Sequence, residues 1–248
     1  TRTVNTTFFE TCSSEHNRLT RKISQLNYPL SNIWVAKETA PNLPNGSELH
    51  LAIRNSVRTW NYFALPSSIK CFCNTGGFGI DGCMSSFVGA SLVDQDKLYF
   101  LVTGDLAFFY DINALGNRQI GNNVRIILVN NGTAMEMKYR SNLTVLFEHE
   151  NISYMAATGH FGFKSPKLVK HYAQDLGFEY YSVEKKEDYI NILPKVLDTK
   201  LSDKPILIEV FTNSEDEQEA YDLLCNCESY TSTVIKNKVK SCINIFRK

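Results

Sequence analysis

Residues 104–133 read GDLAFFYDINALGNRQIGNNVRIILVNNGT, and this stretch decides the fold. It is entered from an apolar run at 98–102 and contains a second at 124–129, each of a length that suits a buried strand. Gly104-Asp105 closes the first run, where a helix pattern starts at once, and Asn130-Asn131 closes the second. Strand, helix and strand in this order predict a parallel βαβ unit. Ligands of open parallel sheets sit at the carboxyl edge of the strands, which is where Asp105 and Asn131 fall. Their side-chain oxygens, joined by a backbone carbonyl, are hard donors suited to Mg²⁺, a metal usually completed by water and by the ligand's phosphate oxygens. The residues alone predict a metal–diphosphate anchor.

The alternation continues on both sides. Upstream, residues 49–53 form a strand pattern that ends in Asn55-Ser56, followed by a helix pattern at 57–63. A hydroxyl and amide N–H groups at such a switch suit either an oxyanion site or an ordinary N-cap. A strand pattern at 69–72 then leads into Gly76-Gly77-Phe78-Gly79-Ile80-Asp81-Gly82 and a helix pattern at 83–92. Downstream come a helix-like run at 134–139, a polar loop at 140–162, and a helix at 164–176. A strand at 179–183, a helix at 187–197, a strand at 205–211 and an acidic-capped helix at 214–224 complete the pattern. The expected class is α/β, a three-layer α/β/α sandwich with a mainly parallel sheet of about six strands. The expected division is a leader with short helices at 1–42, a ligand-binding domain at 43–213, and a helical extension at 214–248 packed on the same domain. Within the leader, 1–14 has no periodicity and reads as a linker or leader, with Ser14 as the cap of a helix at 15–26; a second helix follows Ser31.

Composition narrows the function classes. The chain has 248 residues, with 26 basic and 26 acidic side chains and no net charge. Nothing there suggests a nucleic-acid or membrane surface. No apolar run approaches the roughly 20 residues that a membrane helix needs, and no signal-peptide pattern opens the chain. Seven cysteines, an odd number, fit a reduced, cytoplasmic setting. The first residue is Thr, so the chain is expected to be cut from something longer.

Gly-Asp followed, one helix and one strand later, by Asn-Asn resembles the signature of enzymes that use thiamine diphosphate (ThDP). Asn74 to Gly82 and Asn55-Ser56 are similar to the corresponding segments of the menaquinone-pathway (SEPHCHC) synthases, across roughly residues 43–211. The resemblance implies a C-terminal, diphosphate-binding domain in which Asp105 and Asn131 supply side-chain oxygens to Mg²⁺ and Thr133 its backbone carbonyl. It implies that Asn55 and Ser56 lie beside the diphosphate and the substrate, with Gly104 and Leu106 flanking the metal aspartate. The carbonyl of Gly79 would receive the cofactor's amino group, and Ile80 would be the apolar wedge beneath the bent cofactor.

The resemblance also implies a 2-oxo acid substrate, a homo-oligomer, and an activating glutamate on a separate pyrimidine-binding domain of the same or a partner chain. No stretch here resembles that domain, so the chain alone is expected to be inactive. Thr75 and Trp60 stand where those synthases carry arginines for acidic substrates, and Arg58 is the candidate replacement. With Asn55 and Thr75 it forms the expected substrate set, for a different and less anionic substrate. His149 and His160 are candidates for proton transfer.

Two other readings stay open. Gly77-x-Gly79-x-x-Gly82 matches the dinucleotide fingerprint of a Rossmann oxidoreductase binding NAD or FAD, although that scheme leaves Asn130-Asn131 without a task. The other is a non-catalytic ThDP-fold domain kept for assembly.

Overall fold

The structure, a computed structural model, describes residues 6–140, 142–147 and 165–228. The strands are β1 (Glu48–Leu51), β2 (Lys70–Cys73), β3 (Tyr99–Gly104), β4 (Val124–Asn130), β5 (Glu179–Val183) and β6 (Ile206–Phe211). They form one six-stranded sheet in the order β2-β1-β3-β4-β6-β5, and every pairing is parallel. The helices are α1 (Thr7–Gln25), α2 (Asn32–Thr39), α3 (Asn55–Trp60), α4 (Cys83–Ser91), α5 (Asp105–Tyr110), α6 (Leu168–Asp175), α7 (Lys186–Val196) and α8 (Ser214–Cys225).

The uniformly apolar central strands serve two faces at once. Phe100, Val102, Ile127, Ile206 and Ile208 lie in one buried cluster with Trp34 of α2, Trp60 of α3, Leu193 of α7 and Leu224 of α8. Tyr99, Leu101, Ile126, Leu128 and Leu207 lie in the other, with Phe87 of α4, Phe108 of α5 and Val169 of α6. Alternate residues point to opposite faces of a strand, so a strand covered on both sides must be apolar throughout. All seven residues of β4 are buried for this reason. The edge strand β2 reads Lys-Cys-Phe-Cys and is largely exposed. The expected α/β class and near-parallel sheet are what the chain forms.

The chain start differs from its sequence reading. The helix expected at 15–26 begins earlier: α1 starts at Thr7, and Ser14 lies inside it, its hydroxyl donating to the Thr11 carbonyl at 2.9 Å. Serine mid-helix satisfies its hydroxyl on the preceding turn instead of capping. Ser31 does cap α2, accepting the Trp34 N–H at 3.2 Å. Ile33, Trp34, Val35 and Ala36 of that helix are buried in the main core. The helix-like run at 134–139 is reduced to a short 3₁₀ turn, Met135–Met137. His149, His160 and the tail beyond Glu228 lie outside the described residues.

Candidate cofactor site at the carboxyl edge of the sheet

The chain leaves β1 toward β2 on one side and leaves β3 toward β4 on the other, which makes a switch point between β1 and β3. The connections diverge there and open a crevice at the carboxyl ends. A cavity of about 390 Å³ occupies this place, within the size range of small-molecule pockets. Asn55, Ser56, Gly79, Ile80, Gly104, Asp105, Leu106, Asn131 and Thr133 all line it, so nine residues spread over almost eighty positions of sequence converge. Thr75 is exposed and lies outside that lining, while Arg58 lines an adjoining cleft.

Asp105 is 2 % exposed, its Oδ2 accepting the Gly132 N–H at 2.6 Å and its Oδ1 the Leu106 N–H at 2.7 Å. The first bond pins the carboxylate to the loop that carries Asn131. Gly132 has φ 72°, a left-handed conformation that side chains disfavour, so glycine is what lets the loop turn back. Asn131 Oδ1 accepts the Thr133 N–H at 3.2 Å, closing a tight turn beside it. From behind, Asn130 Oδ1 accepts Gly132 N–H at 3.2 Å, and its Nδ2 donates to Glu209 Oε1 at 2.7 Å. Tyr180 donates to the other Glu209 oxygen at 2.7 Å, so β5, β6 and β4 brace the loop in series. Burial pushes the Glu209 carboxyl up, against the hydrogen bonds from Tyr180 and Asn130.

These residues fit a cation with a diphosphate. The Asp105 carboxylate, beside the Asn131 carboxamide and the Thr133 carbonyl at the cavity wall, offers the hard oxygen donors that suit Mg²⁺. Among the described residues no three His, Cys, Asp or Glu side chains cluster around a metal position. One carboxylate, one carboxamide and one carbonyl hold Mg²⁺ weakly by themselves, so phosphate oxygens from a ligand are needed to complete it. Gly104 has φ −83°, and a Cβ there would meet nothing within 4 Å. Neither backbone strain nor packing demands glycine at that point, whereas a ligand resting on the backbone would. Asn32 Oδ1 is buried beside the cavity without a partner among the described residues, an acceptor that a ligand or water can satisfy.

At the glycine-rich loop, Asn74 Nδ2 donates to the Gly79 carbonyl at 2.8 Å and fixes its position. Ile80 packs against the small cluster of Ala52, Ile53, Cys83 and Ala107 at the cavity wall. This loop follows edge strand β2 and not a strand at the switch point, a placement at odds with the Rossmann reading. Asn55 and Ser56 do not cap α3; they are its first residues, and Arg54 occupies the N-cap position.

Four cavity residues escaped sequence reading. Arg54 has φ 73° and Phe78 φ 53°, and they are the two non-glycine residues with positive φ among those described. Each such conformation costs about 1–2 kcal/mol, and residues held this way tend to sit at functional sites. Glu136 lies between Arg54 and Arg58, at 3.2 Å and 2.8 Å from their Nη1 atoms. Burial raises its carboxyl pKa, but the two guanidinium groups outweigh that and hold it below the usual value. No local sequence pattern brings residues 54 and 136 together.

Glu217, the fourth, is 1 % exposed and accepts the Asn32 N–H at 3.0 Å and the Thr212 hydroxyl at 2.8 Å. Burial raises its pKa to about 7, against these two hydrogen bonds and with help from the charge of Asp105. A carboxyl whose folded pKa exceeds its unfolded value contributes stability at low pH that is lost as pH rises through the folded value. Glu217→Gln is therefore expected to change stability little at pH 5 and to add about 1–2 kcal/mol at pH 8.5. Denaturant unfolding at the two pH values checks this, and an equal change at both would contradict it.

The chain is similar to known proteins in sequence and in fold. The family model described as "Thiamine pyrophosphate enzyme, C-terminal TPP binding domain" matches residues 55–210. The 2-succinyl-5-enolpyruvyl-6-hydroxy-3-cyclohexene-1-carboxylate synthase of Bacteroides fragilis is 31 % identical over 197 residues, covering 76 % of this chain and 32 % of the synthase. Its counterpart in Bacteroides thetaiotaomicron is 34 % identical over 176 residues, covering 71 % and 30 %. In fold, the thiamine diphosphate-dependent 4-hydroxybenzoylformate decarboxylase of Rhodococcus jostii RHA1 is similar with a TM-score of 0.54 at 21 % identity, covering 76 % of this chain and 34 % of the decarboxylase. The matched stretch of each is about a third of its length. The chain belongs to the thiamine pyrophosphate enzymes, as their C-terminal TPP-binding domain.

Proposed function

We propose that this chain is the ThDP- and Mg²⁺-binding part of a 2-oxo acid decarboxylase or carboligase resembling the SEPHCHC synthases and acting on a different substrate. The observation that carries this reading is the bond from Gly132 N–H to Asp105 Oδ2 at 2.6 Å, which holds the metal aspartate against the loop bearing Asn131. Asp105, Asn131 and the Thr133 carbonyl would hold Mg²⁺ against the diphosphate. Gly104 and Leu106 would border that end of the cofactor, and Ile80 with the Gly79 carbonyl the ring end. Asn55 and Ser56 would face both cofactor and substrate. ThDP supplies a thiazolium that stabilises the carbanion left when a 2-oxo acid loses CO₂.

The carboxylate that activates the cofactor is assigned to a pyrimidine-binding domain of the same or a partner chain, within a homo-oligomer. Among the described residues no helix is long and apolar enough to cross a membrane. A cytoplasmic location is part of the proposal. Titration calorimetry is expected to show ThDP binding that requires Mg²⁺, with no comparable binding of NAD. This polypeptide alone is expected to turn over no 2-oxo acid with ThDP and Mg²⁺. Selective NAD binding would overturn the cofactor assignment, and turnover by the isolated chain would overturn the division of labour.

A further inference from the structure

The geometry points to a carboxylate-binding site at the cavity mouth, formed by Arg54 with Arg58 and switched by Glu136. It deepens the function proposed above by naming the group that the substrate presents. Arg54 is the one cationic side chain among the described residues lining the cavity. Both of its hydrogen bonds leave from Nη1, at 3.2 Å to each oxygen of Glu136. The Nε and Nη2 edge of the same guanidinium meets no acceptor among the described residues. That edge offers the parallel pair of donors that matches a carboxylate.

The side chain is held in place from three directions. Its backbone sits at φ 73°, the Phe78 ring lies 5.6 Å from the guanidinium carbon, and Glu136 binds the far end. Phe78 is itself at positive φ, so two unfavourable backbone conformations are spent on one contact at the mouth of the site. A surface ion pair needs neither. Arg58 Nη1 binds the same Glu136 oxygen at 2.8 Å, and Arg58 and Glu136 also line the adjoining cleft. Asp81, Asp105 and Glu217 also line the cavity, but within the trio two guanidinium groups share one carboxylate, which leaves that trio one positive charge. One ligand carboxylate balances it, so the class is a monocarboxylate at this point, such as the acid group of a 2-oxo acid.

Saturation-transfer NMR on the full chain tests this with pyruvate, phenylglyoxylate and 2-oxoglutarate as probes and their methyl esters as controls. Spectra are taken with and without ThDP and Mg²⁺. At least one acid is expected to bind, and its ester more weakly. Arg54→Gln should weaken the acid at least tenfold, and Arg54→Gly should do the same while raising the melting temperature, because strain is released. Glu136→Gln frees both arginines and should tighten acid binding several-fold, whereas a merely structural ion pair would give no gain. The proposal is overturned if no probe binds, if Arg54→Gln stays within twofold of the parent, or if Glu136→Gln weakens binding. Acid binding that depends on Arg54 in a chain that takes up no ThDP would sink the cofactor reading and leave this one standing.

Discussion

Asp105→Asn is expected to weaken binding of ThDP with Mg²⁺ about a hundredfold or more, roughly 3 kcal/mol. The carboxylate is the only formal charge in the proposed ligand set of Asp105, Asn131 and the Thr133 carbonyl. A carboxamide of the same shape keeps the volume and loses that charge beside a divalent cation. A second loss follows from local geometry. Both Asp105 oxygens accept a backbone N–H, from Gly132 and from Leu106. Asparagine has one acceptor oxygen, so its NH₂ must face one of those donors. The unsatisfied pair costs about 1–3 kcal/mol of stability and loosens the turn that carries Asn131. Calorimetry with ThDP at saturating Mg²⁺, paired with melting of the unliganded chain, separates the two effects. Affinity within threefold of the parent would remove Asp105 from the metal site.

Trp60→Arg, which places at residue 60 the arginine that the family resemblance implies there, is expected to prevent folding. Trp60 ends α3, is 1 % exposed and belongs to the main core. Losing the indole costs about 3–5 kcal/mol, as in large-to-small core substitutions. Burying an unpaired guanidinium adds several more, and the sum rivals the whole stability of a domain at about 5–15 kcal/mol. Soluble yield and the far-ultraviolet melt report the result. A cooperative transition at the parent temperature would show that the site has room for the charge. Trp60→Phe, by contrast, is expected to cost under about 1.5 kcal/mol. The indole N–H has no partner among the described residues, so nothing polar is lost with it. Acid recognition at residue 60 is closed off by packing, which agrees with a cationic group placed at Arg54 instead.

Residues 104–133 determined by themselves the parallel βαβ unit and the positions of Asp105 and Asn131, and they predicted a metal–diphosphate anchor, which the family resemblance narrowed to ThDP. Such features are local: a strand's apolar run, the residues that end it, and the helix start beyond are adjacent in the chain. Local patterns also placed β5, whose range 179–183 is the one read from the sequence. The start of α1 escaped because Thr7 to Ser14 carry no apolar stripe, and that helix buries only Ile23.

Tertiary structure alone decided the rest. Glu136 meets Arg54 and Arg58 across about eighty positions, Glu217 joins Asn32 from the far end of the domain, and Trp60 faces the core. The positive φ of Arg54 is equally silent in sequence, since the residue type argues against it. Which side of a fully apolar strand meets which helix, and which charges then share a cavity, follows from how the layers stack. That stacking is set by contacts between segments far apart in the chain, and no window of sequence contains both partners.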